Sequence, residues 1–243
     1  MNANLLPVAR IDASLLLTAA ETDWNRPVPH CPEWDLTQLV QHTGGVLAWM
    51  GAVVTARQQI ARRTLPPAPA EPAELPVWYS RHLAETLHLL ATTDPATETW
   101  TFSSLEDRRV DWWSRRLAVE VAVHRWDAQY AAARGDAPDP IDGDVAAAGI
   151  EEFLTEFLPN LLSRAGDSSG LSGTLHLHAT DGPTEWFVDL DHPQLTTPDH
   201  RKADSALRGT RSDLLLWLTN REPASLDISG EAETLAGWSQ LKL

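Results

Sequence analysis

The run Trp112-Trp113-Ser114-Arg115-Arg116-Leu117-Ala118-Val119-Glu120-Val121-Ala122-Val123-His124-Arg125-Trp126-Asp127 sets a carboxylate and an imidazole four residues apart in an apolar helical stretch. At i and i+4 their Cβ atoms stand roughly 5–6 Å apart on one face. Leu117, Val121 and Ala128 lie beside them and mark that face as inward. A carboxylate buried without a partner is costly, or its pKa rises until it is neutral. Two partners suit Glu120: a metal cation that His124 also ligates, or His124 itself as an imidazolium. The stretch leaves both open, and a third ligand on another inward face is what would separate them.

A second helix begins at Trp34-Asp35-Leu36-Thr37-Gln38-Leu39-Val40-Gln41-His42. Asp35 reads as its N-cap and Gln38 as the capping-box partner three residues on. Leu39, His42, Val46, Trp49 and Val53 then recur at spacings of three and four, which puts His42 in line with the apolar stripe. A lone histidine on such a face is ordinarily a satisfied core residue. A His, Glu, His set from two inward helix faces is instead the three-ligand pattern of catalytic zinc, with one position left open.

The string His30-Cys31-Pro32-Glu33-Trp34 with Leu39-Val40-Gln41-His42, followed by Glu120-Val121-Ala122-Val123-His124-Arg125-Trp126-Asp127, resembles the mycothiol-dependent maleylpyruvate isomerase family. The resemblance holds in both motifs and in their order, and it extends over nearly the whole chain. It implies an α + (α+β) protein: a DinB-like antiparallel four-helix bundle followed by a small α+β domain. It also implies one divalent metal on His42, Glu120 and His124, with mycothiol as thiol cosubstrate. Zinc is the metal expected, although such a set also accepts nickel, cobalt or iron. A coordinated thiol is deprotonated and would attack an electrophilic small molecule. Elimination after bond rotation makes an isomerase; without elimination the product is that of an S-transferase.

An anionic substrate needs a cation, and the family's small domain contributes an arginine. Arg221 or Arg208 is the candidate here, with Asn220 standing where a glycine commonly precedes that arginine. Asp127 reads either as a group that orients a metal ligand or as a surface charge paired with Arg125 or Arg134. Cys31 reads as a packing residue, since the reacting sulfur comes from the cosubstrate. Two other readings stand beside the isomerase or transferase. One is a non-catalytic metal- and thiol-binding protein for sequestration or sensing. The other is a DinB-like metal-dependent hydrolase with water in the open position, for which Asp127 is the only added base near the motif.

The formal charge of -15 excludes a phosphate-tracking surface, and the 19 basic residues form no long run. No segment has the length and apolarity of a membrane span, and Met1-Asn2-Ala3-Asn4 lacks the basic start of a signal peptide. With a single cysteine, a cytoplasmic protein acting as monomer or homodimer on small molecules is expected, without nucleic acid or membrane partners.

Apolar spacing predicts helices over Pro7 to Asp23 (buried stripe Val8, Ile11, Leu15, Ala19), Leu36 to Arg63, Leu75 to Ala91, the metal-helix run, and Asp142 to Arg164. Gly44 and Gly45 read as room for a neighbouring helix or a ligand, or as plain packing. Glu98 to Phe102 reads as a short extended segment whose aromatics line a pocket or cap the core. Gly166 to Gly173 changes the composition and the period from helical to two, which places a domain boundary there: 1–168 for the bundle and 169–243 for the small domain. In that domain the pattern predicts strands at Thr174 to Ala179, Trp186 to Asp191, Ala203 to Arg208 and Ser225 to Ser229, and helices at Ser212 to Asn220 and Ala232 to Leu241. His176 and His178 share a strand face and read as solvated. His82 and His88 read as surface or satisfied residues.

Overall fold

The computed structural model describes residues 4–133, 137–165, 170–192, 194–196, 201–231, 235 and 237–241. The chain forms two compact units, Met1–Asp139 and Pro140–Leu243. No helix among the described residues is long and apolar enough to cross a membrane.

The first unit holds four long helices, α1 (Leu6–Ala20), α2 (Leu36–Ala56), α3 (Leu75–Thr92) and α4 (Val110–Ala132). Helix α1 packs most extensively on α4, α2 on α3, and α2 also on α4. The capping box at Asp35 is formed: the Gln38 N–H donates to Asp35 Oδ1 at 2.8 Å, and the Asp35 N–H to Gln38 Oε1 at 2.9 Å. Helix α2 stops at Ala56, short of the predicted Arg63, because Arg57 turns into the left-handed region with φ of 54°. A Cβ on Gly44 would overlap the indole of Trp78 on α3, so this glycine serves helix packing. Gly45 has nothing within 4 Å of an added Cβ.

The stripe of α1 is displaced from the predicted one. Ala9, Asp12, Ala13, Leu16 and Ala20 are buried, whereas Ile11 is 59% exposed. Small alanines let α1 approach α4 closely, and Asp12 is drawn inward by Arg125 of α4, whose Nε donates to Asp12 Oδ1 at 3.1 Å. Arg125 also donates to Gln129 Oε1 at 2.8 Å and to the Asp139 carbonyl. The aromatics after α3 cap the core together with Trp49 of α2: Trp100, Phe102, Trp112 and Trp113 interleave with it, and Trp113 Nε1 donates to the Trp100 carbonyl at 2.9 Å.

The second unit opens with α5 (Gly143–Glu152), continues through a π-helical turn (Phe153–Phe157) and ends its helical part with α6 (Leu158–Ala165). The boundary expected at 168/169 lies outside the described residues, and the units divide between Asp139 and Pro140. The helix assigned to the bundle belongs with the sheet. Composition marks where the period changes, but packing decides ownership, and α5 packs on α7 (Arg211–Leu218). Two bonds secure it: the Ile141 N–H donates to Ser212 Oγ at 3.0 Å, and Arg211 Nη1 meets Asp144 Oδ1 at 3.1 Å.

The sheet has five strands in the order β3-β2-β1-β4-β5, from β1 (Thr174–Ala179), β2 (Glu185–Asp189), β3 (Gln194–Thr196), β4 (Ser205–Gly209) and β5 (Leu226–Gly230). Strands β1 and β4 run parallel; the other neighbours are antiparallel. Strand β3 is too short for its alternation to have been visible. Of the predicted closing helix, residues 232–234 and 236 lie outside the described residues, and Trp238–Gln240 forms a 3-10 turn. The solvated reading of His176 and His178 is corrected. His176 is 9% exposed. It lies 3.1 Å from Glu185 Oε2, and His178 lies 2.8 Å from Glu185 Oε1. Register supplies the reason, since Glu185 stands directly opposite His178 on β2.

Candidate metal centre

Helix α4 brings Glu120 and His124 to its α2-facing side, and α2 presents His42 to them. Glu120 Oε1 lies 3.1 Å from His42 Nε2 and 3.7 Å from His124 Nε2. Around a tetrahedral zinc with bonds of about 2.0–2.2 Å, adjacent ligand atoms stand roughly 3.3–3.5 Å apart, so the two separations bracket what a shared cation requires. One donor atom from each of the three residues falls within 4.8 Å of the others. Borderline imidazole and carboxylate donors in this number fit a divalent transition metal.

Burial by itself would raise the Glu120 carboxyl, but the Arg116 guanidinium beside it, the His42 hydrogen bond and the His124 ring hold it well below the usual carboxylate range. Glu120 is therefore an anion at neutral pH, ready to ligate without releasing a proton. Arg116 Nη2 donates to the other carboxylate oxygen, Oε2. The sequence reading passed over Arg116, although its position one turn before Glu120 is an i,i+4 pairing signal.

His124 is oriented from behind. Its Nδ1 lies 3.0 Å from Asp127 Oδ2, and an ionised carboxylate only accepts, so this contact favours a proton on Nδ1 and leaves Nε2, which faces Glu120, as the atom that would ligate a metal. Asp127 is wholly buried, so the surface-charge alternative does not hold; of its two suggested partners, Arg125 engages Asp12, Gln129 and Asp139, and Arg134 lies outside the described residues.

The segment between α1 and α2 closes over the same face. Its backbone folds through two tight turns, with the Cys31 N–H donating to the Val28 carbonyl at 3.1 Å and the Trp34 N–H to the Cys31 carbonyl at 3.0 Å. Glu33 takes a φ of 75° to make the second turn. Trp34 thereby lies against the His42 ring, tilted, with centroids 4.7 Å apart, and the Cys31 thiol donates to Asp127 Oδ2 at 3.6 Å. Cys31 is thus more than packing, since it shares its acceptor with a candidate ligand; Cys31, His124 and Asp127 form a second ligand-like group. An open groove lined by Arg10, Ile11, Leu87, Leu90, Asp111 and Arg115 shares no residue with this centre.

The candidate arginines belong to the second unit. Arg208 on β4 is largely exposed, with Nη1 3.8 Å from Asp227 Oδ2. Arg221 lies in the turn after α7 and donates through Nη1 to the Thr219 carbonyl at 2.7 Å. Asn220 adopts φ of 59°. The Asn220 N–H reaches the Trp217 carbonyl at 3.0 Å, and the Arg221 N–H reaches Leu216 at 2.7 Å. This is the Schellman closure that glycine usually provides and asparagine tolerates. Asn220 thus takes the left-handed cap position that glycine usually fills at a helix end.

Fold and site together define a two-unit protein with a helical, candidate metal-binding first unit and a small mixed-sheet second unit. Comparison with known proteins agrees. Residues 8–129 match the mycothiol maleylpyruvate isomerase N-terminal domain, and residues 144–237 match the C-terminal domain of the same isomerases. The chain belongs to the mycothiol maleylpyruvate isomerase family. Two crystal structures, of a mycothiol-dependent maleylpyruvate isomerase and of a point variant of one, superpose with a TM-score of 0.59. Each covers 96% of this chain and 95% of its own at 12% identity, a likeness of fold. The search of curated proteins gave no match.

Proposed function

We propose that the chain is a metal-dependent isomerase or S-transferase that uses mycothiol on an electrophilic small molecule, with the first unit a DinB-like antiparallel four-helix bundle. The observation that carries the reading is the convergence of His42 Nε2, Glu120 Oε1 and His124 Nε2 in a chain of this family. These three residues would hold the metal, zinc by preference of the donor set. A divalent cation bound there would supply thiol activation at neutral pH, by favouring the thiolate.

The remaining work falls to the chain's own groups. Asp127 keeps the His124 proton on Nδ1, Trp34 covers the His42 ring, and Arg116 balances the Glu120 charge. Arg221 is the preferred cation for an anionic substrate, with Arg208 as the second candidate; the Asn220 turn supports Arg221, because the backbone there follows the path a glycine would allow. The protein acts in the cytoplasm, where the thiol remains reduced, as a monomer or homodimer. Neither a sequestering protein nor a hydrolase is favoured by a specific contact, since the bases nearest the centre are already committed to it.

The test is incubation of zinc-loaded protein with mycothiol and a panel of electrophiles, read by mass spectrometry. Turnover to an isomer or a thioether, abolished in His42→Ala, Glu120→Ala and His124→Ala together with stoichiometric metal, is the expected result. Full metal content in all three variants would place the metal elsewhere, and metal binding without turnover of any electrophile would favour sequestration.

A further inference from the structure

We propose that Arg116 is a positioning residue of the metal centre: by engaging Glu120 Oε2 it confines Glu120 to one-oxygen ligation through Oε1 and keeps a coordination position open for the thiol. The inference rests on the metal reading above and concerns how that centre is kept three-liganded.

The two oxygens of Glu120 are divided. Oε2 accepts from the Arg116 guanidinium, while Oε1 faces His42 Nε2 at 3.1 Å and His124 Nε2 at 3.7 Å. The arginine lies one helical turn before the glutamate on the same helix, so the rigid backbone of α4 sets the pairing. The side chains are 15% and 7% exposed, which shields the pair from the water that weakens surface ion pairs.

A carboxylate can ligate with one oxygen or both. Three protein ligands leave a four-coordinate zinc with one place for an exogenous group. Were Glu120 free to turn, its second oxygen could take that place and the thiol would have to displace it. Arginine is suited to prevent this, because it stays charged beside a cation and its planar fork fixes the oxygen it holds. The same charge opposes a neighbouring cation by direct repulsion. Removing it should therefore leave metal affinity equal or stronger, the opposite sign from losing a merely structural support.

The experiment uses the full chain loaded with Co2+, whose d–d absorption is intense in four-coordinate sites and weak in five- or six-coordinate ones. Wild type, Arg116→Met and Arg116→Lys are compared for Co2+ stoichiometry and affinity, for the d–d spectrum, and for the sulfur-to-cobalt charge-transfer band on titration with mycothiol. Arg116→Met is expected to keep stoichiometric Co2+ at no loss of affinity and to shift its d–d bands away from the wild-type pattern, because a second carboxylate oxygen replaces the exogenous ligand. It should bind mycothiol at least about tenfold more weakly, the lower end for loss of a charge-assisted hydrogen bond. Arg116→Lys should recover part of both signals. An unchanged spectrum and mycothiol affinity in Arg116→Met would overturn the proposal, as would release of its metal. His42→Ala separates this from failure of the underlying reading: if that variant keeps the wild-type cobalt spectrum, the metal is not bound at this centre at all. Should Arg116→Met not reach the wild-type far-UV circular dichroism, Arg116→Leu carries the same expectations.

Discussion

Asp127 shows how much one buried carboxylate can decide. It accepts from His124 Nδ1 and from the Cys31 thiol through the same oxygen. An asparagine of the same shape could offer its NH2 to Nδ1, moving the ring proton to Nε2 and taking the lone pair away from Glu120 and His42. Asp127→Asn should thus lower metal affinity by about ten- to a hundredfold with little change in Tm, measured by competition with a chelating dye. Unaltered affinity would reduce Asp127 to a packing role. The residue types and their three-residue spacing were legible in the sequence; the burial was not. Helix α4 is buried over most of its circumference, so a single inward stripe underestimates which of its charged residues leave water. Arg116 is the related case: its i,i+4 spacing to Glu120 is visible in the sequence, but its burial is not.

At the scale of elements, the α1–α4 seam joins small residues and one buried ion pair. Arg125 is 2% and Asp12 5% exposed. Breaking such a pair from one side leaves a charge without its partner, so Asp12→Ala should destabilise the protein by about 3 kcal/mol, read as a drop in the denaturant midpoint at unchanged m-value. Adding Arg125→Met should recover part of that loss, because the two changes share one interaction. Equal, additive losses would show that the pair is not coupled. Hydrophobic periodicity chose Ile11 and Leu15 for this seam because it counts apolar residues and discounts aspartate. The packed helices chose alanines, which permit close approach, and an aspartate that meets its arginine.

For the whole molecule, the division at Asp139–Pro140 makes a prediction that the composition change at 166–173 would not. A chain ending at Asp139 should keep its helical circular dichroism and take up stoichiometric zinc by elemental analysis, since α1 to α4 and all three candidate ligands lie before the cut. Loss of fold in that truncated chain, with metal regained only when residues 140–165 are restored, would return those helices to the first unit. The sequence by itself determined the kinds of element, the inward faces of α2 and α4, and the three residues that could share a metal, because burial periodicity and i,i+4 spacing are local properties of a helix. Only the tertiary structure decided which helices belong to which unit, that Glu185 rather than water partners His176 and His178, and that Arg116, Asp127, Cys31 and Trp34 gather around the candidate ligands. Those are meetings between residues distant in sequence or on helix faces that look polar, and nothing in the local pattern encodes which neighbour arrives there.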